Sequence, residues 1–153
     1  MLYTAKGKFF EDWRIGVEFE TGSRTISETD IVIFAGLSGD FNPLHINEEF
    51  AKKSVFGTRV AHGFLIHSIS IGLINQTGYF DGTVMAQLGH NNISFSKRVV
   101  PGDTVKVKCK IIELRETSNR ERGIITFEAV IVNQKGDVVA KSERVLMIKR
   151  RIE

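Results

Sequence analysis

The chain has 153 residues, 42% hydrophobic and 25% charged, with a formal net charge of +3. That is the size of a single domain with enough apolar material for a real core. No run approaches the ~20 apolar residues of a membrane-spanning helix, and one cysteine, Cys109, excludes an intrachain disulfide, in keeping with a reducing cytoplasm. The positive excess gathers only at Lys149-Arg150-Arg151, which reads as a solvated, frayed tail. Without a clustered basic face or a readable motif, nucleic-acid binding is not expected, although a mild positive potential suits an anionic substrate.

Met1-Leu2-Tyr3-Thr4-Ala5-Lys6 lacks the apolar core of a signal peptide. Phe9-Phe10 and Trp13 mark an N-terminal packing segment. Residues 17–21 alternate apolar and polar and predict a strand, continuing towards Ile26. Ser27-Glu28-Thr29-Asp30 is a helix-start box, with Ile31, Phe34, Ala35 and Ser38 on one face of the helix that follows and Gly39 as its stop. Asp40 is thereby delivered onto a loop. Asn42-Pro43 is a turn, because the residue before proline is pushed out of helical geometry. Asn47 caps a short helix extending to Lys53.

From Gly63 to about Gln76 the chain is apolar on all sides, the pattern of a buried helix. Gly72 in its middle predicts close approach of another element, since glycine costs about 1 kcal/mol against alanine there. Strands are expected over 84–99 (bent at Gly89), 104–114, 124–132 and 138–148, with turns at Pro101-Gly102-Asp103 and Gln134-Lys135-Gly136-Asp137. Val105, Val107, Cys109 and Ile111 alternate with Lys106, Lys108 and Lys110, so the sheet is antiparallel with one wet face. The fold class is therefore α+β: one domain over residues 1–153, with an antiparallel sheet packed around a long apolar helix.

Chemistry concentrates between Ser38 and Gly63. An acid, Asp40, and an imidazole, His45, flank a proline turn, which is the composition of an acid/base site. Each alone has a plainer reading, Asp40 as a turn-stabilising side chain and His45 as a polar turn residue. Gly63 opens the apolar helix, where an unpaired N–H can polarise a carbonyl, or where the chain simply makes a tight entry turn. His62 and His67 are five apart, the wrong spacing for two ligands on one helical face, so no metal is expected. His67 and His90 read as satisfied core or surface histidines, and Cys109 as a small buried hydrophobe. Ser38 and Ser68 lack a nucleophile-elbow context, and no glycine-rich phosphate loop is present, so no cofactor is expected.

Ser38-Gly39-Asp40-Phe41-Asn42-Pro43-Leu44-His45, with Phe50-Ala51, Ala61-His62-Gly63-Phe64, Asn92-Ile93-Ser94-Phe95 and Val100-Pro101-Gly102-Asp103, resembles the MaoC-like (R)-specific enoyl-CoA hydratase and dehydratase family. The resemblance spans roughly Val17 to Ile148. It implies a hot dog fold, usually paired into a homodimer, acting on an acyl-CoA thioester. It also implies that Asp40 and His45 hold a catalytic water, that Gly63 is the backbone donor to the thioester carbonyl, and that Asn42 and Pro43 shape the turn. Close rivals are a carrier-protein dehydratase, a thioesterase and a non-catalytic acyl-thioester-binding domain. Phe34, Ile71 and Phe95 are candidates for the acyl tunnel, and Arg59, Lys97 and Arg98 for the CoA phosphates.

Overall fold

The computed structural model of the chain describes residues 4–151; the reading of Met1–Tyr3 as lacking a signal core lies outside them. In chain order the elements are β1 (Glu18–Glu20), β2 (Arg24–Thr25), α1 (Glu28–Ser38), α2 (Pro43–Ile46), α3 (Glu48–Ala51), α4 (Gly63–Gln76), β3 (Val84–Phe95), β4 (Thr104–Glu116), β5 (Arg122–Asn133) and β6 (Val138–Lys149). All pairings are antiparallel and run β1-β4-β5-β6-β3, with β2 also on β4. The sheet curves round α4, which packs on β4 and β6. This is the hot dog arrangement.

Local signals account for most element ends. Ser27 Oγ accepts from Asp30 N–H at 3.1 Å, and Asp30 Oδ2 accepts from Ser27 N–H at 2.8 Å, closing the reciprocal cap of α1. Gly39 ends α1 at φ +76, the left-handed geometry that favours glycine. Asn42 caps α2 through Leu44 N–H at 3.0 Å, with Pro43 at its first position. The proline turn expected from sequence is therefore also a one-turn helix, and His45 sits on it. The expected strand through Ile26 is split into β1 and β2. β3 stops at Phe95, and its pairing with β6 slips at Gly89, where a bend was foreseen, and at two further places, between Val84 and Ala86 and between Asn91 and Ser94. One of these carries Asn92 at φ +51.

The inward face of β4 is as read from its alternation, with Val105, Val107, Cys109 and Ile111 buried and Lys106 and Lys110 paired to Glu20 and Glu18. β5 departs from the one-wet-face expectation, because residues 123–127 are buried without a break. The N-terminal segment covers its other face: a Cβ on Gly123 would stand 2.3 Å from the Phe10 ring. Trp13 is fully buried and stacks on Phe80 at 5.3 Å, as expected of a packing segment. The basic tail is not frayed at Arg150 and Arg151. Arg150 pairs with Glu11 and Glu116, and Arg151 with Asp12, clamping the end of β6 to the N-terminal turn.

α4 is not buried all round. Leu65, Ile66, His67, Ile69, Ser70, Leu73 and Ile74 face the sheet, while Phe64, Ser68 and Gly72 lie on an open side. Nothing lies within 4 Å of a Cβ built on Gly72, so the close neighbour expected there is not found among the described residues. No helix of the described chain is long and apolar enough to cross a membrane.

Candidate active site

Three hydrogen bonds set the acid, two of them local. Ser38 Oγ accepts from Asp40 N–H at 3.2 Å, and Asp40 Oδ1 accepts from Asn42 N–H at 3.2 Å. The third comes from His62, the N-terminal flank of α4, whose Nε2–H donates to the Asp40 main-chain carbonyl at 3.0 Å. With Oδ1 occupied by the turn, Oδ2 is left facing His45 Nε2 at 4.0 Å. Asp40 is half-exposed and His45 largely covered.

His45 is held from its other edge. Its Nδ1 lies 2.7 Å from the Val60 carbonyl. A carbonyl only accepts, so Nδ1 carries a proton, and whenever the ring is neutral Nε2 is its bare nitrogen. Val60 is itself fixed by its N–H bond to Leu44 O at 3.1 Å, and Ala61 N–H by Val99 O at 2.8 Å. The imidazole is thus oriented by the strand-like run leading into α4.

Gly63 begins α4, and among the described residues no hydrogen bond engages its N–H. It shares a cavity of about 380 Å³ with His45, Phe64, Phe95, Lys97 and Arg98. Asp40 is not in that wall; it meets the cavity through His45. Of the tunnel candidates only Phe95 lines this cavity, its ring lying where a Gly63 side chain would be, 2.8 Å from a built Cβ. Phe34 instead packs on His62, with ring centroids 5.0 Å apart. Arg59 is not at the cavity. Its guanidinium is consumed by Glu28 and Glu48, tying α1 to α3. Lys97 and Arg98 do lie at the rim, Lys97 bridged to Asp137 at 2.8 Å.

His62 is the residue that sequence spacing undervalued. It is buried, and its ring stacks on His45 at 3.7 Å with planes 28° apart. Burial, reinforced by the neighbouring His45, pushes its pKa down, so it stays neutral with the proton on Nε2. Asp40, His45 and His62 place one potential ligand atom each within 4.8 Å of one another. Coordination at about 2.0–2.1 Å would require the 4.0 Å gap between Asp40 Oδ2 and His45 Nε2 to narrow. Cys109 is no nucleophile, since burial raises its thiol to about 12.

The model of the MaoC like domain matches residues 11–133, which carry every site residue just described. The chain belongs to this MaoC-like family. It is 33% identical over 143 residues to the (R)-specific enoyl-CoA hydratase of Rhodospirillum rubrum, covering 94% of this chain and 93% of that one. It is 39% identical over 117 residues to Protein MaoC of Klebsiella aerogenes, covering 75% of this chain but only 33% of that longer protein. In three dimensions it matches a solved structure described as the monoamine oxidase regulatory protein from Archaeoglobus fulgius, with a TM-score of 0.90 and 32% identity. That match covers 98% of this chain and 100% of the other.

Proposed function

We propose that this MaoC-like chain is a hydro-lyase that reversibly hydrates trans-2-enoyl-CoA thioesters to (3R)-3-hydroxyacyl-CoA, without a cofactor. The observation that carries the reading is the 4.0 Å gap between Asp40 Oδ2 and the bare His45 Nε2, in a chain whose unengaged Gly63 N–H shares the His45 cavity. The gap is too long for a direct hydrogen bond, and one water reaching about 2.8 Å each way spans it. Both groups accept, so they draw the two water hydrogens towards themselves and aim an oxygen lone pair outwards. As the oxygen bonds to C3, the electron pair of the double bond moves towards C2 and the carbonyl. The dyad takes one water proton, and the Gly63 N–H stabilises the oxygen that becomes enolate-like. Return of that proton to C2 completes addition of H and OH on one face. The R configuration follows the named relative in Rhodospirillum rubrum.

His62 is a positioning residue in this scheme, since it touches the Asp40 carbonyl and the His45 ring rather than substrate. His62→Phe keeps a stacking ring and loses the hydrogen bond, worth about 1 kcal/mol. The expected result is a roughly fivefold lower kcat with KM nearly unchanged. Equal losses in folding midpoint and KM, with kcat intact, would mean a purely structural role.

The half-exposed edge of β3, which among the described residues pairs only with β6, and the open strip of α4 at Phe64, Ser68 and Gly72 favour a homodimer covering both. A cytoplasmic location fits the free, buried Cys109. The same chemistry run in reverse on carrier-bound hydroxyacyl chains is the nearest rival. Rates on crotonyl-CoA and on crotonyl-carrier protein separate the two. We expect the CoA thioester to be the better substrate; faster turnover on the carrier protein overturns the CoA assignment while keeping the dyad.

A further inference from the structure

Away from the Asp40–His45 site, the interior holds a polar cluster that the proposed reaction does not use. Arg144 of β6 is only 4% exposed. Its Nη2 donates to Gln87 Oε1 at 2.9 Å, while Nε and Nη1 have no hydrogen-bond partner. Among the described residues no carboxylate lies within ion-pairing distance of it, and the Phe127 face at 5.7 Å offsets the charge only in part. Burial lowers its pKa to about 10, so it remains a cation at neutral pH.

Beside it, His67 of α4 and His90 of β3 share one hydrogen bond, Nε2 to Nδ1 at 2.8 Å. Their outer nitrogens, His67 Nδ1 and His90 Nε2, are buried without partners, so the expectation of satisfied histidines fails at one edge of each ring. Burial lowers the pKa of both, that of His90 to about 4, so neither charges near neutral pH and neither supplies a counter-charge. Buried polar groups are nearly always paired, and a buried cation without a partner is among the least favourable arrangements in a protein. Four such atoms gathered on three adjacent side chains mark a place made for something else.

A second cavity, of about 460 Å³, is lined by Arg144 and Gln87, with the two histidines beside Arg144 rather than in its wall, and shares no lining residue with the cavity at Gly63. Arg144, Gln87, Asn75, Gln76, Asp81 and Leu146 form part of its wall. We propose that Arg144 anchors a second ligand site in this chain, one that takes a single carboxylate. A planar carboxylate matches the guanidinium fork and supplies the missing counter-charge. A phosphate fits less well, because its charge of about −1.5 to −2 exceeds what one guanidinium balances and the C-terminal turn of α4, at Asn75 and Gln76, lines the same cavity. The amides of Asn75, Gln76 and Gln87 provide neutral donors and acceptors for the rest of the ligand.

The carboxylate has two possible sources: a free short-chain acid, or the far end of an acyl chain whose thioester is held at Gly63. The second source rests on the proposed hydratase reading. His67 lies one helical turn beyond Gly63, and Phe64 bridges them, 6.4 Å from the His67 ring and in the wall of the first cavity.

The test compares the wild type with Arg144→Met, a substitution of similar length that removes an uncompensated charge and is expected to fold with an equal or higher thermal midpoint. Millimolar butanoate, with butanamide as the neutral isostere, is titrated while the midpoint is read. Imidazole ¹⁵N signals of His67 and His90 in the wild type provide a readout that needs no variant. A free-acid site is supported if butanoate, and not butanamide, raises the wild-type midpoint and shifts those signals saturably, with the midpoint effect lost in Arg144→Met. The acyl-end source is supported if the ratio of kcat/KM for glutaconyl-CoA to that for crotonyl-CoA falls at least tenfold in Arg144→Met. The proposal is overturned if butanoate leaves the ¹⁵N signals unmoved and the substrate ratio is the same in both proteins. The butanoate arm requires no turnover, so failure of the hydratase reading leaves it intact.

Discussion

Replacing Asp40 with asparagine is expected to lower crotonyl-CoA hydration by about 10²–10⁴-fold, the usual worth of a positioned acid or base. The substitution is nearly isosteric, and Asp40 is half-exposed, so the fold should be unchanged by circular dichroism. The loop hydrogen bond from Asn42 N–H can be kept by the amide oxygen, whereas the charged acceptor facing His45 is gone. His45→Gln should lose as much, since it removes the bare Nε2 held by the Val60 carbonyl. In the proposed mechanism both side chains hold the same water, so the double variant should be little worse than either single one. Additive losses would show that the two act separately. Near wild-type turnover in a folded Asp40→Asn protein would remove the acid from the mechanism altogether.

Gly63→Ala is expected to be the most damaging small change outside the dyad. The new Cβ would meet the Phe95 ring at 2.8–3.0 Å, and that ring is about half exposed, so it can swing aside with modest loss of stability. The backbone N–H survives the substitution. In the proposed mechanism what is lost is close approach of the thioester carbonyl, and a misplacement of about 1 Å costs on the order of 10²-fold in rate. Pairing the change with Phe95→Ala separates packing from catalysis. The double variant should recover the folding midpoint and not the rate. Recovery of both would show that Gly63 is glycine only to make room for Phe95.

These positions differ in how far they could be read from the chain. The cap at Ser27, the left-handed stop at Gly39 and the alternation of Val105 to Ile111 are local, so spacing and residue type were enough. Asp40, Asn42, Pro43 and His45 fall within six residues, and their turn chemistry is local too. The role of His62 was not legible, because its hydrogen bond to Asp40 joins residues twenty-two apart and its stacking on His45 exists only after folding. Arg59 looked available for phosphate because its partners, Glu28 and Glu48, come from other elements. The continuous burial of residues 123–127 depends on Phe10, more than a hundred residues earlier. Arg144 gave no signal, since a lone arginine on an alternating strand reads as a solvent-facing residue until the sheet curls round α4.

The proposed dyad and water would also equip a thioesterase, which would direct the same nucleophile at the thioester carbonyl instead of C3. One assay of the wild-type protein decides between them: crotonyl-CoA is added, and enoyl absorbance and free thiol are followed in the same cuvette. The account expects absorbance to fall to an equilibrium with 3-hydroxybutyryl-CoA and no thiol to appear. Stoichiometric release of thiol, or an unchanged absorbance with folded protein, would contradict it.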